Sequence, residues 1–531
     1  MKMVVDGKKA RYGQLYSIDR LSDLPDSIIH HIISYLDTEE ACRTTILSKR
    51  WARIWSTGLI LDFRSQFFVT KKKGRSHKKT VLRLMNSVET TMRQYSEKNL
   101  SIRKFRVEYL TAHQGMAGRI DGCLGIALQN QVEELSLSFI HKRSPYGLPA
   151  SLFLSKSLTS MKLSRVKVPY YENLKLVSLQ SLDLSEVVVD KHMLHDIIKS
   201  CPLKILDLDR CSGLQNISIP FCSGLESLSV GRTVPAGGTI LVYTSSFQRC
   251  IYSDGEKVDP FPIILTPASK KNLRVLQISH VCIVDDIFDK LMSELPSIEN
   301  MEFLFCTMPK NVKIASQTLK ELVIRHCFKL INLAIEAPNL DTFRYNGHLQ
   351  LLWVINSHNK YNAYLHLSIF NLGTRALVGI KNLLSKSNCC CKVLCISLSA
   401  NDEQIEFDKD LLNTIDDGSP CDIQELKLSV KSFDSNFGES SCEALVDGLL
   451  WCCRPDILSL SIILESQNII IKVCSFSLMP TFFILLQLFC RGQLLSFGFG
   501  TMTKERGGDQ LPGVRWNKLS VNDQIARQIH S

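Results

Sequence analysis

Two different apolar periods divide the chain. Between residues 19 and 57 the spacing is helical: in DRLSDLPDSIIHHIISYLDTEE, Ile28, Ile29, Ile32, Ile33 and Leu36 recur at three- and four-residue steps and make one broad apolar face. Asp23 is placed to cap this helix, Pro25 falls where a first turn tolerates a missing N–H, and Asp26 suits the positive end of the helix dipole. Thr38 is placed to cap a second helix carrying Ala41, Cys42 and Thr45. Ser48 is placed to cap a third, on which Trp51 and Trp55 stand one turn apart. So short a segment buries little surface by itself, yet the face of its first helix alone carries those five large aliphatics and its third helix two tryptophans, so a partner is expected to cover part of it.

Residues 58–98 read as a connector, in which a basic run leads into a helix carrying Val81, Leu82, Leu84, Met85 and Val88. Past residue 99 the period changes to L-x-x-L-x-L, with Ile, Val, Met or Phe substituting. Clear starts lie at Leu158, Leu179, Leu203 and Leu225, separated by 21, 24 and 22 residues, and at Leu273, Ile298, Leu319 and Leu340, separated by 25, 21 and 21. That is the period of leucine-rich repeats. Weaker units begin at Ile102, Val132, Val393, Ile423 and Ile457. Two intervals hold helix-like stretches, one from Met193 to Ile198 after Asp190 and one from Ile287 to Met292 after Asp285, closed by Pro202 and Pro296. The predicted fold class is therefore α/β: a small three-helix unit followed by an irregular repeat solenoid with a curved parallel sheet, over residues 99–465. Additional units at Leu214 and Leu330 follow the preceding start too closely for a full repeat and are expected as extended segments on the outer side. Cys211, Cys222, Cys306 and Cys327 each sit eight residues after a unit's first apolar position, where an inward-turned Asn or Cys belongs.

The run DRLSDLPDSIIHHIISYLDTEEACRTTILSKRWARIW resembles the F-box of the plant leucine-rich-repeat group, through LPD, the paired aliphatics, and LSKRW with a second Trp after it. The repeats, including DGLLWCCRPDILSLSI at 447–462, resemble the same group more loosely. The resemblance implies a substrate receptor of a Skp-cullin-F-box ubiquitin ligase, with the F-box on a Skp-type adaptor, the adaptor on a cullin, and the repeats on an unknown target protein. It places Leu24, Pro25, Ile28, Ile29, Ile32, Leu36, Leu47, Trp51 and Trp55 at positions that face the adaptor or support that face. A ligase-independent scaffold, a truncated non-functional variant and a receptor holding a small ligand in its repeats are the competing readings.

Composition narrows this further. At 45% hydrophobic and 22% charged residues the chain is an ordinary folded protein, and its net charge of +11 is spread along 531 residues. The densest cluster, Lys71 to Lys79, lacks the interleaved aromatics that would stack bases; it reads as a solvated linker or a nuclear-import signal, and no nucleic-acid partner is expected. No secretory signal is visible, so nucleus or cytoplasm is expected, and with it reduced thiols among the 19 cysteines. The run at Cys389, Cys390 and Cys391 and the pair Cys452 and Cys453 lack zinc-site spacing, and adjacent His30 and His31 point different ways from a helix. Phosphate-loop, dinucleotide, zinc-protease and serine-hydrolase motifs do not occur, so no cofactor and no catalyst is expected. The apolar run at 476–490 is too short to cross a bilayer, and the region after 465 leaves the repeat pattern and reads as a spliced or truncated end.

Overall fold

The computed structural model describes residues 21–474, apart from single positions, short gaps and the longer stretches 64–76, 400–419 and 432–447, together with residues 502–503 and 515–516. It divides into two compact units, Met1–Leu214 and Gln215–Ser531. Cys222, most of the basic run and the apolar run at 476–490 lie outside the described residues.

The first unit begins with α1 (Asp26–Ser34), α2 (Thr38–Thr44) and α3 (Lys49–Ser56), then β1 (Ile60–Phe63), α4 (His77–Glu97), β2 (Lys104–Leu110), α5 (Ala117–Gln129) and β3 (Glu134–Phe139). Strands Ser160–Ser164, Ser181–Ser185 and Ile205–Asp209 continue it. These six strands run parallel, each paired with the next. In register, Leu135, Met161, Leu182 and Leu206 form one apolar row and Leu137, Leu163, Leu184 and Leu208 another, all buried. Period-two alternation sends those rows inward and leaves the polar residues between them on the open face. The sheet starts earlier than the repeat pattern does, because β1 lies in the segment read as a connector; four residues are too few to show the repeat. On α4, Val81, Leu84, Met85 and Val88 are buried as the period requires, while Leu82 faces out. Arg119 of α5 ties the two helices together, reaching both carboxylate oxygens of Glu89 at 2.6 Å and Asn86 Oδ1 at 2.6 Å. That guanidinium holds the Glu89 carboxyl below its usual range.

The second unit stacks parallel strands Ser227–Gly231, Arg249–Ser253, Val275–Ser279, Asn300–Leu304, Glu321–Arg325, Thr342–His348, Tyr361–Ile369, Cys389–Ser399, Cys421–Lys431 and Cys453–Leu464. Gln467–Cys474 then pairs antiparallel with the last of them and ends the parallel run. The rung at Arg249–Ser253 was not visible as a leucine pattern, since Phe247, Cys250 and Tyr252 fill its three inward positions; all three are buried. The extra units fall in short sheets separate from the long one. Ile217–Ile219 pairs with Ile240–Val242 and that with Ile263–Leu265; Asn332–Glu336 lies between Asn311–Ala315 and Leu352–Asn356. The two helices form as the sequence suggests, at Lys191–Ser200 and Asp285–Glu294; Asp190 Oδ1 caps the first, accepting the His192 N–H at 2.8 Å.

Two devices repeat at the rung ends. The residue after the strand turns to positive φ, at Arg165 (59°), Glu186 (54°) and Arg210 (52°) in the first unit and Arg232 (48°), His280 (56°), Phe305 (52°) and His326 (51°) in the second. Its N–H donates to the last carbonyl of the neighbouring strand, as Arg165 does to Ser185 at 2.9 Å and His280 to Leu304 at 2.9 Å. Next to this turn the cysteines donate to a strand carbonyl of the preceding rung: Cys211 to Leu184 O at 3.3 Å, Cys306 to Ile278 O at 3.4 Å, Cys327 to Phe303 O at 3.5 Å. Burial raises core thiols elsewhere, Cys201 to about 11 and Cys250 to about 12, which removes their nucleophilic form near neutrality.

Replacing Cys306 with Ala leaves the Ile278 carbonyl without its thiol donor in a buried turn, and is expected to cost about 1–3 kcal/mol in urea denaturation. Cys42→Ala, at an exposed thiol, should change stability by no more than about 0.5 kcal/mol. Equal effects would show that the thiol is not acting as a cap.

Candidate docking surface on the N-terminal helices

Burial separates the apolar residues of α1–α3 into an interior and a face. Ile29, Ile33, Ala41, Trp51 and Ile54 form the interior, with Leu24, Ile32, Leu36 and Trp55 packed half-buried against it. Along α1 the two sets follow helical geometry: Ile29 and Ile33, with Leu36 just past the helix, share the inner side, while Ile28, half-buried Ile32 and the C-cap Tyr35 share the adjoining one. Outward lie Pro25, Ile28 at 44% exposure and Leu47 at 48%. Of the nine residues that the F-box resemblance groups, Ile29 and Trp51 lie in the interior, at 0% and 2% exposure. Trp51 acts through its area: its indole N–H is buried and has no acceptor among the described residues.

Three exposed apolar residues were not singled out in the sequence: Leu21, Tyr35 at 71% and Ile46 at 89%. Tyr35 had a legible signal, falling seven residues after Ile28 on the same side of α1. Its ring meets His31 edge-on at 5.0 Å. Ile46 lies between two helices, where no period marks it.

Polar contacts hold the three helices in place. Ser48 Oγ accepts the Trp51 N–H at 3.2 Å, a cap at the start of α3. Asp26, in the first turn of α1, accepts Arg50 Nε at 2.7 Å from the first turn of α3. The cap assigned to Asp23 is not made; the helix starts from Pro25 without a side-chain cap, and Asp26 is engaged by Arg50 instead. Thr38 also reaches beyond its own helix: its Oγ1 accepts the Asp62 N–H at 2.7 Å in a buried contact, tying α2 to β1 and so to the repeat sheet. Arg106 Nη1 from β2 lies 3.5 Å from the Asp62 carboxylate.

Other parts of the chain offer less. The groove between α4 and α5 is lined by Gly118 and Gly122 and by the charged residues Glu89, Arg93, Glu97 and Arg119, of which Glu89 and Arg119 bind each other. Among the described residues no group of three or more His, Cys, Asp or Glu side chains is arranged to hold a metal, and no helix is long and apolar enough to cross a membrane.

The F-box domain model matches residues 21–61, the three helices and β1. The leucine-rich-repeat domain model described as At1g61320/AtMIF1 matches residues 91–234 and 263–386, about half of the chain. The chain belongs to the plant F-box/leucine-rich-repeat family. It is similar to F-box/LRR-repeat protein 25 of Arabidopsis thaliana, 26% identical over 205 residues, which is 38% of this chain and 72% of that protein. It is also similar to F-box/LRR-repeat protein At3g59200 of the same plant, 33% identical over 147 residues, or 28% of this chain and 27% of that protein. Other curated relatives are matched over about two fifths of their length. In this F-box, then, the family's helices present an apolar row over a closed interior.

The two sets of residues should respond differently to truncation. Trp51→Ala empties the F-box interior and is expected to cost about 3–5 kcal/mol, read as lost hydrogen-exchange protection of α1–α3. Ile28→Ala should leave that protection within about 0.5 kcal/mol of wild type. If Ile28→Ala unfolds the helices as Trp51→Ala does, the division into interior and face is wrong.

Proposed function

We propose that this chain is the substrate-recognition subunit of a Skp-cullin-F-box ubiquitin ligase. The observation that carries the reading is the row of Pro25, Ile28, Tyr35 and Leu47 left open above a complete interior. Large apolar side chains gain about 1.5–3 kcal/mol each on full burial, so a row of this kind marks a surface that a partner covers. Under this proposal the Skp-type adaptor covers it and brings the cullin. Leu24, Ile32, Leu36 and Trp55 back the contact from half-buried positions, and Ile29 and Trp51 support it from inside. The repeats hold the target protein, and the complex works in the nucleus or cytoplasm.

The chain needs no catalytic residue of its own for this role. Holding the adaptor at one place and the target at another raises the effective concentration of target lysines near the conjugating enzyme. The link from Thr38 to Asp62 matters here, since it fixes α2 to the first strand of the sheet.

Co-purification from cells with the adaptor and cullin tests the proposal. Wild type should retain both, and the double substitution Ile28→Asp with Leu47→Asp should lose them by about tenfold or more, because two charges are buried without partners. The circular dichroism of the variant should match wild type. A wild-type chain that brings down no adaptor, or a variant that binds as well, would sink the receptor reading and leave a ligase-independent scaffold.

A further inference from the structure

Three successive rungs of the second unit place His280, Phe305 and His326 in the left-handed turn that follows the strand. Glycine or asparagine takes that conformation readily, whereas a bulky aromatic residue there is strained by about 1 kcal/mol or more. The turns bring three rings into line. The His280 and Phe305 centroids are 5.0 Å apart with planes 13° from parallel, and those of Phe305 and His326 are 4.8 Å apart at 16°. An imidazole covers each face of Phe305, so the 44% of it that is exposed is presented through the ring edge.

That edge is the positive part of the ring quadrupole. Exposed Arg325 directly precedes His326 and its carbonyl accepts the Phe305 N–H at 2.8 Å, and both Arg325 and His348 act on His326, whose pKa is lowered by burial first and by these two neighbours after it. The acidic residues nearest along the rungs are Asp254, at the matching place one rung earlier, and Glu302, two residues before the end of Asn300–Leu304. We propose that this ring stack and Arg325 form a docking surface for an acidic segment of a partner protein. Carboxylates would lie along the ring edges and meet the Arg325 guanidinium. The proposal rests on the repeats being the target-binding part and adds the chemistry that they read.

Fluorescence anisotropy on the full chain, with a labelled polyglutamate peptide as probe and polylysine as control, tests it. Wild type should bind polyglutamate about tenfold or more tighter than polylysine, and Arg325→Ala and Phe305→Gly should each remove about fivefold or more of that affinity. Glycine relieves the turn while deleting the ring, so Phe305→Gly should keep the wild-type melting temperature within a few degrees. Lys320→Ala, which removes a cation that pairs with Glu299 before the same strand begins, should weaken binding less than about twofold. No preference for polyglutamate, unchanged binding by Phe305→Gly and Arg325→Ala, or an equal loss in Lys320→Ala would each overturn the proposal. Phe305→Gly should still co-purify with the adaptor. Failure of wild type to bind the adaptor would remove the ligase reading and leave this surface standing.

Discussion

The stacked strands depend on one backbone hydrogen bond, made again at the end of successive rungs. A parallel strand has to leave its sheet without disturbing the neighbour that pairs beside it, and here the next residue turns left-handed and gives its N–H to that neighbour's last carbonyl. The bond satisfies two groups that burial would otherwise orphan. It also fixes the register. With the exit of each strand tied to the exit of the next, the inward positions fall into rows such as Leu135, Met161, Leu182 and Leu206. The cysteine caps act on the same corner, since Cys211 and Cys306 donate to carbonyls one residue short of a strand's end.

This dependence explains what the sequence revealed and what it hid. Rungs with leucine, isoleucine or methionine inward, from Leu158 to Leu340, show their period plainly because core packing restricts those positions to apolar residues. The Arg249–Ser253 rung hid because packing asks only for volume and apolarity, which Phe247, Cys250 and Tyr252 also supply. Strand β1 hid because its place in the sheet comes from pairing with β2, a partner over forty residues away. The left-handed turns carry no sequence signal at all, being filled by Arg, Glu, His and Phe where the conformation favours Gly or Asn.

The F-box helices were legible in a complementary way. Spacing and motif gathered Leu24 to Trp55 into one group, although only Leu24, Ile29, Ile32, Leu36, Trp51 and Trp55 of it pack in or against the same small cluster. Spacing cannot say which members face inward when two apolar sides of α1 adjoin each other, as the sides of Ile29 and Ile28 do. Only the packing of Trp51 and Ile54 against α1 decides it, and that leaves Ile28 outside and Ile29 in. Thr38 shows the same limit for polar residues. Local rules assign its hydroxyl to the helix it begins and do not foresee the strand N–H 24 residues away that it accepts.

A turn that Arg, Glu, His and Phe all occupy, at a cost of about 1 kcal/mol, gives the repeat a freedom that its core lacks. Inward positions are committed to packing and the turn's N–H to its neighbour, but the turn's side chain is committed to neither. The first unit uses this freedom for charge: Arg165 and Arg210 both reach the Glu186 carboxylate, at 2.9 and 3.2 Å, and Arg210 also pairs with Asp209. Three successive rungs of the second unit use it for rings, and no carboxylate stands between His280 and His326 in that row. A strained, half-exposed Phe is a poor choice for stability alone, since Asn would serve the turn and leave less apolar surface in water. The strain is better explained by what the ring edge meets than by what holds the rung together. Under the two proposals, docking to the F-box face and recognition at the turns can change independently, because one depends on α1 and α3 and the other on side chains that neither the sheet nor its core requires.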